Sequence, residues 1–170
     1  MTTSEFLIKA ATPDDVPAVH GMIAALARYE ELAHLCVATE ADLAAALFGP
    51  RPAAEALIAR VGDEAAGFAL FFHSYSTFLG RRSLWLEDLF VHPAHRRKGC
   101  AQALLRALAA LAVERNCGRF DWAVLDWNEP AIAFYRALGA TVMPDWRIVR
   151  VTGPALASLA GAPAAPLGLE

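Results

Sequence analysis

A chain of 170 residues with 56% apolar and 19% charged side chains is long enough to bury one full core and too apolar to remain disordered. Its formal net charge of -3 implies no strongly basic face, which argues against nucleic acid as the main partner. No apolar run reaches the roughly 18 residues of a membrane span, and the polar start of the chain lacks the basic-then-apolar order of a signal peptide, which places the protein in the cytoplasm.

Phe6 to Ala10 reads as a first strand. Thr12-Pro13-Asp14-Asp15 supplies an N-cap, a proline for the first helical position and acids for the first turn. Val16, Val19, Ile23, Leu26 and Ala27 then recur at helical spacing, predicting a helix to about Tyr29. Thr39-Glu40-Ala41-Asp42 has the form of a capping box opening a second helix through Phe48, stopped by Gly49-Pro50. Ala56 to Val61 and Ala66 to His73 form a hairpin over Gly62-Asp63, and Ser83 to Val91 is a third strand beside it. Phe78-Leu79-Gly80 reads as a substrate loop between strands.

Gly99 to Glu114 carries the clearest helical stripe, Leu104, Leu105, Leu108, Leu111 and Ala112. A strand over Phe120 to Leu125 and a short helix over Pro130 to Leu138 follow, with Gly139 suited to a left-handed position just past the helix end. Val142 and Arg147 to Val151 read as closing strands, and from Pro154 an Ala/Pro-rich tail reads as frayed. The alternation predicts one α/β (α+β) domain over residues 1–153, with a mixed sheet of about six to seven strands and about four helices, and a C-terminal tail over 154–170.

Cys36, Cys100 and Cys117 are scattered and include no CxxC pair, so they suggest free thiols rather than a metal site or disulfide framework. His73, His92 and His95 show no partner pattern and read as structural or solvated. No metal is expected.

The segment from Leu86 to Gln102 is the most informative. A strand ends at Val91, a basic loop follows, and a helix opens at Gly99. Amides at a helix start lack intrahelical partners and carry about half a positive charge, so they receive phosphate readily. Gly99 lets the backbone come close to a ligand, and small Ala101 leaves room one step on. Arg96, Arg97 and Lys98 oppose the helix dipole, so stability alone disfavours them there, whereas a bound diphosphate explains them. Neither GxxxxGK[ST] nor GxGxxG is present.

Arg96-x-x-Gly99-x-Ala101 after a strand resembles the Arg/Gln-x-x-Gly-x-Gly/Ala signature of the GNAT acyltransferase superfamily. Leu86-Glu87-Asp88-Leu89-Phe90-Val91, the block from Trp127 to Ala140 and Leu26-Ala27-Arg28-Tyr29-Glu30 are similar to its diamine (spermidine/spermine) and thialysine acetyltransferase branch, with Ala101 standing where that branch usually has glycine. The resemblance spans about Phe6 to Val151. It implies two neighbouring strands that splay apart to hold acetyl-CoA, the co-substrate. The backbone of Leu89, Phe90 and Val91 would pair with its pantetheine arm. Arg96, Arg97, Lys98, Gly99, Cys100, Ala101 and Gln102 would hold its diphosphate, and Asn128, Pro130, Ala131 and Tyr135 would line it from the other side.

The resemblance further implies transfer of an acetyl group to a primary amine of a small molecule, a polyamine or a lysine-like or thialysine-like amino acid, by direct attack. Tyr135 is the implied acid toward the leaving thiolate. With a thiol near 8.5 and a phenol near 10, that proton transfer is uphill by only roughly 2 kcal/mol. Glu87 is the base-side residue. An alkylammonium with a pKa near 10.4 costs about 5 kcal/mol to deprotonate at pH 7, and a carboxylate favours the charged form, so Glu87 is read as holding the ammonium and passing its proton to water. Asp88 points to the other face of a regular strand and is read as a structural anchor. Tyr29, Glu30, Asp121, Trp122 and Asp145 are candidates for the amine pocket by the same resemblance. A homodimer is implied, with no nucleic acid or membrane partner. The competing readings are a non-catalytic acetyl-CoA-binding regulatory module and acetylation of a protein N-terminus.

Overall fold

The computed structural model describes residues 6–161. These divide into two compact units, one through Ala123 and one from Val124.

The first unit is built on one five-stranded sheet in the order β1-β2-β3-β4-β5. Strands β1 (Leu7–Ala10), β2 (Glu55–Val61), β3 (Glu64–Ser76) and β4 (Arg81–Val91) pair antiparallel in succession, and β5 (Phe120–Trp122) adds parallel to β4. Helix α1 (Val16–Tyr29) follows a single 3-10 turn that opens at Thr12, where Asp15 Oδ2 accepts from both the Thr12 amide and hydroxyl. Helix α2 (Glu40–Phe48) starts on the Thr39–Asp42 capping box that the sequence predicts, and Gly49 ends it. Helix α3 (Cys100–Glu114) connects β4 to β5.

The period-2 alternation of the strands sorts their side chains onto two faces. Ala56, Ile58, Phe68 and Phe90 meet Val16, Val19, Met22, Leu43 and Leu47 of α1 and α2 in one core cluster. Helix α3 packs on β1 to β4 with Leu104, Leu105 and Leu108 buried. Buried Asp15 sits at the edge of the first core and pairs with Arg60. Burial works against its charge, but the Thr12 groups and Arg60 outweigh that and hold its pKa below the ordinary value.

The expected β3 and β4 both extend two or three residues further, into a hairpin whose turn exposes Phe78. The histidines read as structural or solvated take those roles. His73 lies 3.5 Å from Arg115, whose guanidinium forms a two-toothed pair with Glu55. His95 is buried against Phe6, and His92 is exposed. All three cysteines are free.

The second unit holds α4 (Glu129–Ala137) and α5 (Gly153–Leu159). Asn128 caps α4 through Oδ1, which accepts from the Ala131 amide at 3.4 Å, and Gly139 takes φ +90° just past the helix end. The expectation of six to seven strands and about four helices is corrected to five strands and five α-helices among the described residues. Val142 and Arg147 to Val151 lie in no strand. A run rich in β-branched residues fits a pleated surface but needs a neighbour to complete its ladder, and Ile148 and Val149 are 70% and 89% exposed. The start of the expected tail is helical instead, as α5, while residues 162–170 lie outside the described residues. None of the described helices is long and apolar enough to cross a membrane.

Candidate active site

The pairing of β5 with β4 covers only Leu84–Phe120, Trp85–Asp121 and Leu86–Trp122. Beyond Leu86, β4 continues for five residues to Val91, so the backbone of Leu89, Phe90 and Val91 has no β5 partner on that edge. Such groups are obligatory hydrogen-bonders, and apart from the Val91 carbonyl, which accepts from Arg96, they are open on that edge to an extended, amide-bearing ligand arm.

At the end of that edge the chain makes a 3-10 turn over Pro93–His95 and then two left-handed residues, Arg97 at φ +60° and Gly99 at φ +88°. Gly99 is the N-cap of α3, offers no side-chain cap, and is followed by a first turn without an acid. The first amides of α3, those of Cys100, Ala101 and Gln102, therefore carry the positive end of the helix without a neutralising side chain. A Cβ built on Gly99 meets nothing within 4 Å, so the glycine answers to backbone conformation and the space beside it is open. Exposed Arg97 and Lys98 flank this space. These residues fit a diphosphate, and with the free edge of β4 they fit the elongated shape of acetyl-CoA. Buried Cys100 is no nucleophile, because burial pushes its thiol up to about 11.

Arg96 is exposed as well and also contacts protein. Its Nε donates to the Val91 carbonyl at 3.0 Å, and its guanidinium lies over the rings of Tyr29, at 5.3 Å, and Phe90, at 5.7 Å. The first residue of the signature thereby ties the loop to the C-terminal end of α1.

That end of α1 carries acids toward β4. Between Leu70–Asp88 and Phe71–Leu86 the β3–β4 register shifts, which leaves Glu87 as an extra residue without a cross-strand partner. The strand is not regular here, so the simple opposition of Glu87 and Asp88 does not hold. Burial, then the charges of Glu87 and Glu30, raise Asp88 to about 6. Burial also raises Glu30. Glu87 itself is exposed, and its Oε2 accepts from Trp85 Nε1 at 2.9 Å.

The structure thus brings Tyr29, Glu30, Glu87, Phe90 and Arg96 into one neighbourhood, and adds Asp88, which sequence reasoning had set aside as an anchor. Asp121 is committed to Arg119 at 2.6 Å, and Trp122 packs on Phe120. Asn128, Pro130, Ala131, Tyr135 and Asp145 belong to the second unit. Within it Asp145 is exposed, and half-buried Tyr135 has its ring 5.5 Å from that of Phe134. No cluster of three or more His, Cys, Asp or Glu suited to a metal ion occurs among the described residues.

The signature of the acetyltransferase (GNAT) family matches residues 21–140. The L-ornithine N5-acetyltransferase of Arabidopsis thaliana is 34% identical over 89% of this chain and 86% of its own length. The thialysine N-epsilon-acetyltransferase of Sus scrofa is 34% identical over 91% of this chain and 97% of its own. Among solved structures, an integron cassette protein from the mobile metagenome of V. cholerae superimposes with a TM-score of 0.79 at 27% identity, covering 94% of this chain and 100% of that one. Free strand edge, uncapped glycine-led helix start and matching relatives agree: the chain belongs to the acetyltransferase (GNAT) family.

Proposed function

We propose that the protein transfers the acetyl group of acetyl-CoA to the primary amine of a small, cationic molecule of the lysine, thialysine, ornithine or polyamine class, by direct attack within a ternary complex. The observation that carries this reading is the uncapped N-terminus of α3 behind Gly99, with Arg97 and Lys98 exposed beside it and no acid in its first turn. The backbone edge of Leu89, Phe90 and Val91 holds the pantetheine arm, and Arg97 to Gln102 hold the diphosphate. Asn128, Pro130, Ala131 and Tyr135 supply the remaining cofactor contacts of a single acyltransferase domain over residues 1–153.

The acceptor class is supported by the acids around β4. Glu30, Glu87 and Asp88 are close enough for two of them to raise the third, and an ammonium placed among them relieves that repulsion. The aromatic face of Tyr29 suits a cation beside these acids, and Asp121, Trp122 and Asp145 are further candidates for binding the amine. Glu87 holds the ammonium. Water takes the proton that the amine must lose before it attacks. The neutral amine nitrogen then bonds to the thioester carbonyl carbon, the carbon–sulfur bond breaks, the departing thiolate takes the proton of the Tyr135 hydroxyl, and the second proton lost from the nitrogen as it becomes an amide returns through water to the phenolate.

A homodimer is part of this reading. Trp146, Ile148 and Val149 are 75%, 70% and 89% exposed, an apolar surface that a second copy would cover and whose strand-like sequence it would pair. The test is the release of coenzyme A thiol from acetyl-CoA with a panel of amines including ornithine, lysine, thialysine and spermidine. Stimulation by at least one is expected. Tight acetyl-CoA binding with no stimulation by any amine would make the protein a cofactor-binding module instead.

A further inference from the structure

Glu87 is the inserted residue of the β4 bulge, and no residue of β3 stands opposite it. An exposed glutamate with three rotatable bonds and no ladder neighbour has no cross-strand side chain to hold its carboxylate in one place. One group does hold it. Trp85, two residues earlier on β4, donates its indole Nε1–H to Glu87 Oε2 at 2.9 Å. A donor to a charged acceptor makes one of the stronger hydrogen bonds available to a side chain. The indole is itself fixed. Its ring leans on Phe72 of β3 with centroids 6.4 Å apart, and its backbone pairs with Asp121 of β5.

We propose that Trp85 is a positioning residue for acetyl transfer. Its indole N–H occupies one carboxylate oxygen of Glu87, fixes the rotamer, and leaves the other oxygen directed to the acceptor ammonium. The proposal rests on the reading of Glu87 as the ammonium-binding group, and goes beyond it by naming what aims that group. A packing role for Trp85 needs only an apolar ring against Phe72, whereas a positioning role needs the N–H.

Two variants separate these roles. Trp85→Phe keeps an aromatic ring and deletes the donor. Trp85→His restores a donor, since imidazole Nε2 occupies the same place in its five-membered ring as indole Nε1, and discards the six-membered ring that does the packing. Steady-state constants for a reactive amine, acetyl-CoA titration and a double-mutant cycle with Glu87→Gln supply the readouts. Trp85→Phe is expected to lower kcat/KM for the amine about tenfold, with acetyl-CoA affinity unchanged. Trp85→His recovers most of that loss, and in the Glu87→Gln background Trp85→Phe has no further effect. A fully active Trp85→Phe, a Trp85→His no better than Trp85→Phe, or a loss that persists undiminished beside Glu87→Gln overturns the positioning role. An impaired Glu87→Gln with a silent Trp85→Phe overturns this proposal alone, while a fully active Glu87→Gln overturns the reading of Glu87 along with it.

Discussion

The guanidinium of Arg96 lies 5.3 Å from the centroid of the Tyr29 ring, so the loop that leads into α3 is clamped to the end of α1. The same side chain bonds the Val91 carbonyl. All three basic residues before the helix are exposed, but Arg96 makes these protein contacts. Arg96→Gln is expected to remove a cation–π contact of about 0.5–1 kcal/mol and a hydrogen bond of about 1 kcal/mol, lowering Tm by roughly 3–6 °C. Acetyl-CoA affinity should fall less than in the double variant Arg97→Ala, Lys98→Ala, whose binding should also lose much of its salt dependence. Thermal melts and calorimetric titrations at two ionic strengths check both halves. The reverse ranking would put the Arg96 guanidinium on the diphosphate.

Gly99 separates conformation from recognition. At φ +88° any other residue pays for the left-handed region, but its Cβ meets nothing. Gly99→Ala should cost about 1 kcal/mol of stability and leave a folded, binding-competent protein. Gly99→Glu should cost about the same on folding and, by placing an anion where a diphosphate belongs, weaken acetyl-CoA at least 100-fold. Equal affinities for the two variants in a calorimetric titration would remove the cradle from this site.

What the sequence reveals here follows from which interactions are local. The Thr39–Asp42 box and the stripe of α3 use contacts three or four residues apart, and both helices lie where those spacings place them. Gly99 and the basic loop are legible for the same reason. The bulge at Glu87 is not, because it is a mismatch between β4 and β3 that neither strand encodes alone, and with it the environment of Asp88 and the grip of Trp85 stay hidden. The closing strands fail for want of a partner, although Ile148 and Val149 have the right composition. Helix α5 is obscured by composition in the opposite sense. Pro154 and the alanines suggest a loose tail, yet Pro154 sits in the first turn, where its missing amide costs nothing, and Ala and Leu are strong helix formers.

Asp88 makes stability depend on pH in a defined direction. Its folded pKa is raised from 3.8 to about 6. Well below pH 3.8 the carboxyl is neutral in both folded and unfolded chains and contributes no penalty. As pH rises through that interval the unfolded chain ionises first, and above about 6 the folded protein bears the full cost of a charge among burial, Glu87 and Glu30. A tenfold change in acidity corresponds to about 1.4 kcal/mol, and solvent at the partly exposed side chain reduces the total to about 2 kcal/mol. Asp88→Asn should therefore raise Tm at pH 7.5 by several degrees and leave it nearly unchanged about one pH unit below the ordinary carboxyl value. The variant should also bind the acceptor amine more weakly. Equal Tm gains at both pH values would assign the effect to packing rather than charge.

Tyr135 provides the sharpest division between binding and chemistry. Its ring packs beside Phe134 in α4, and Tyr135→Phe keeps that ring while deleting the hydroxyl. A positioned general acid contributes about 10²- to 10⁴-fold to a rate, so turnover with a saturating amine should fall at least 100-fold. Acetyl-CoA affinity, read by calorimetry, should change by less than about twofold if the hydroxyl acts mainly on the thiolate formed during reaction, since an interaction made only in the transition state lowers kcat without weakening the ground state. A more acidic thiol makes a better leaving group and needs less help from an acid. An acetyl thioester of such a thiol that still carries the coenzyme A diphosphate should therefore lose less in the variant than acetyl-CoA does. An equal loss with both donors, or a parallel loss of affinity and turnover, would give the hydroxyl a binding role and leave the thiolate to take its proton from water.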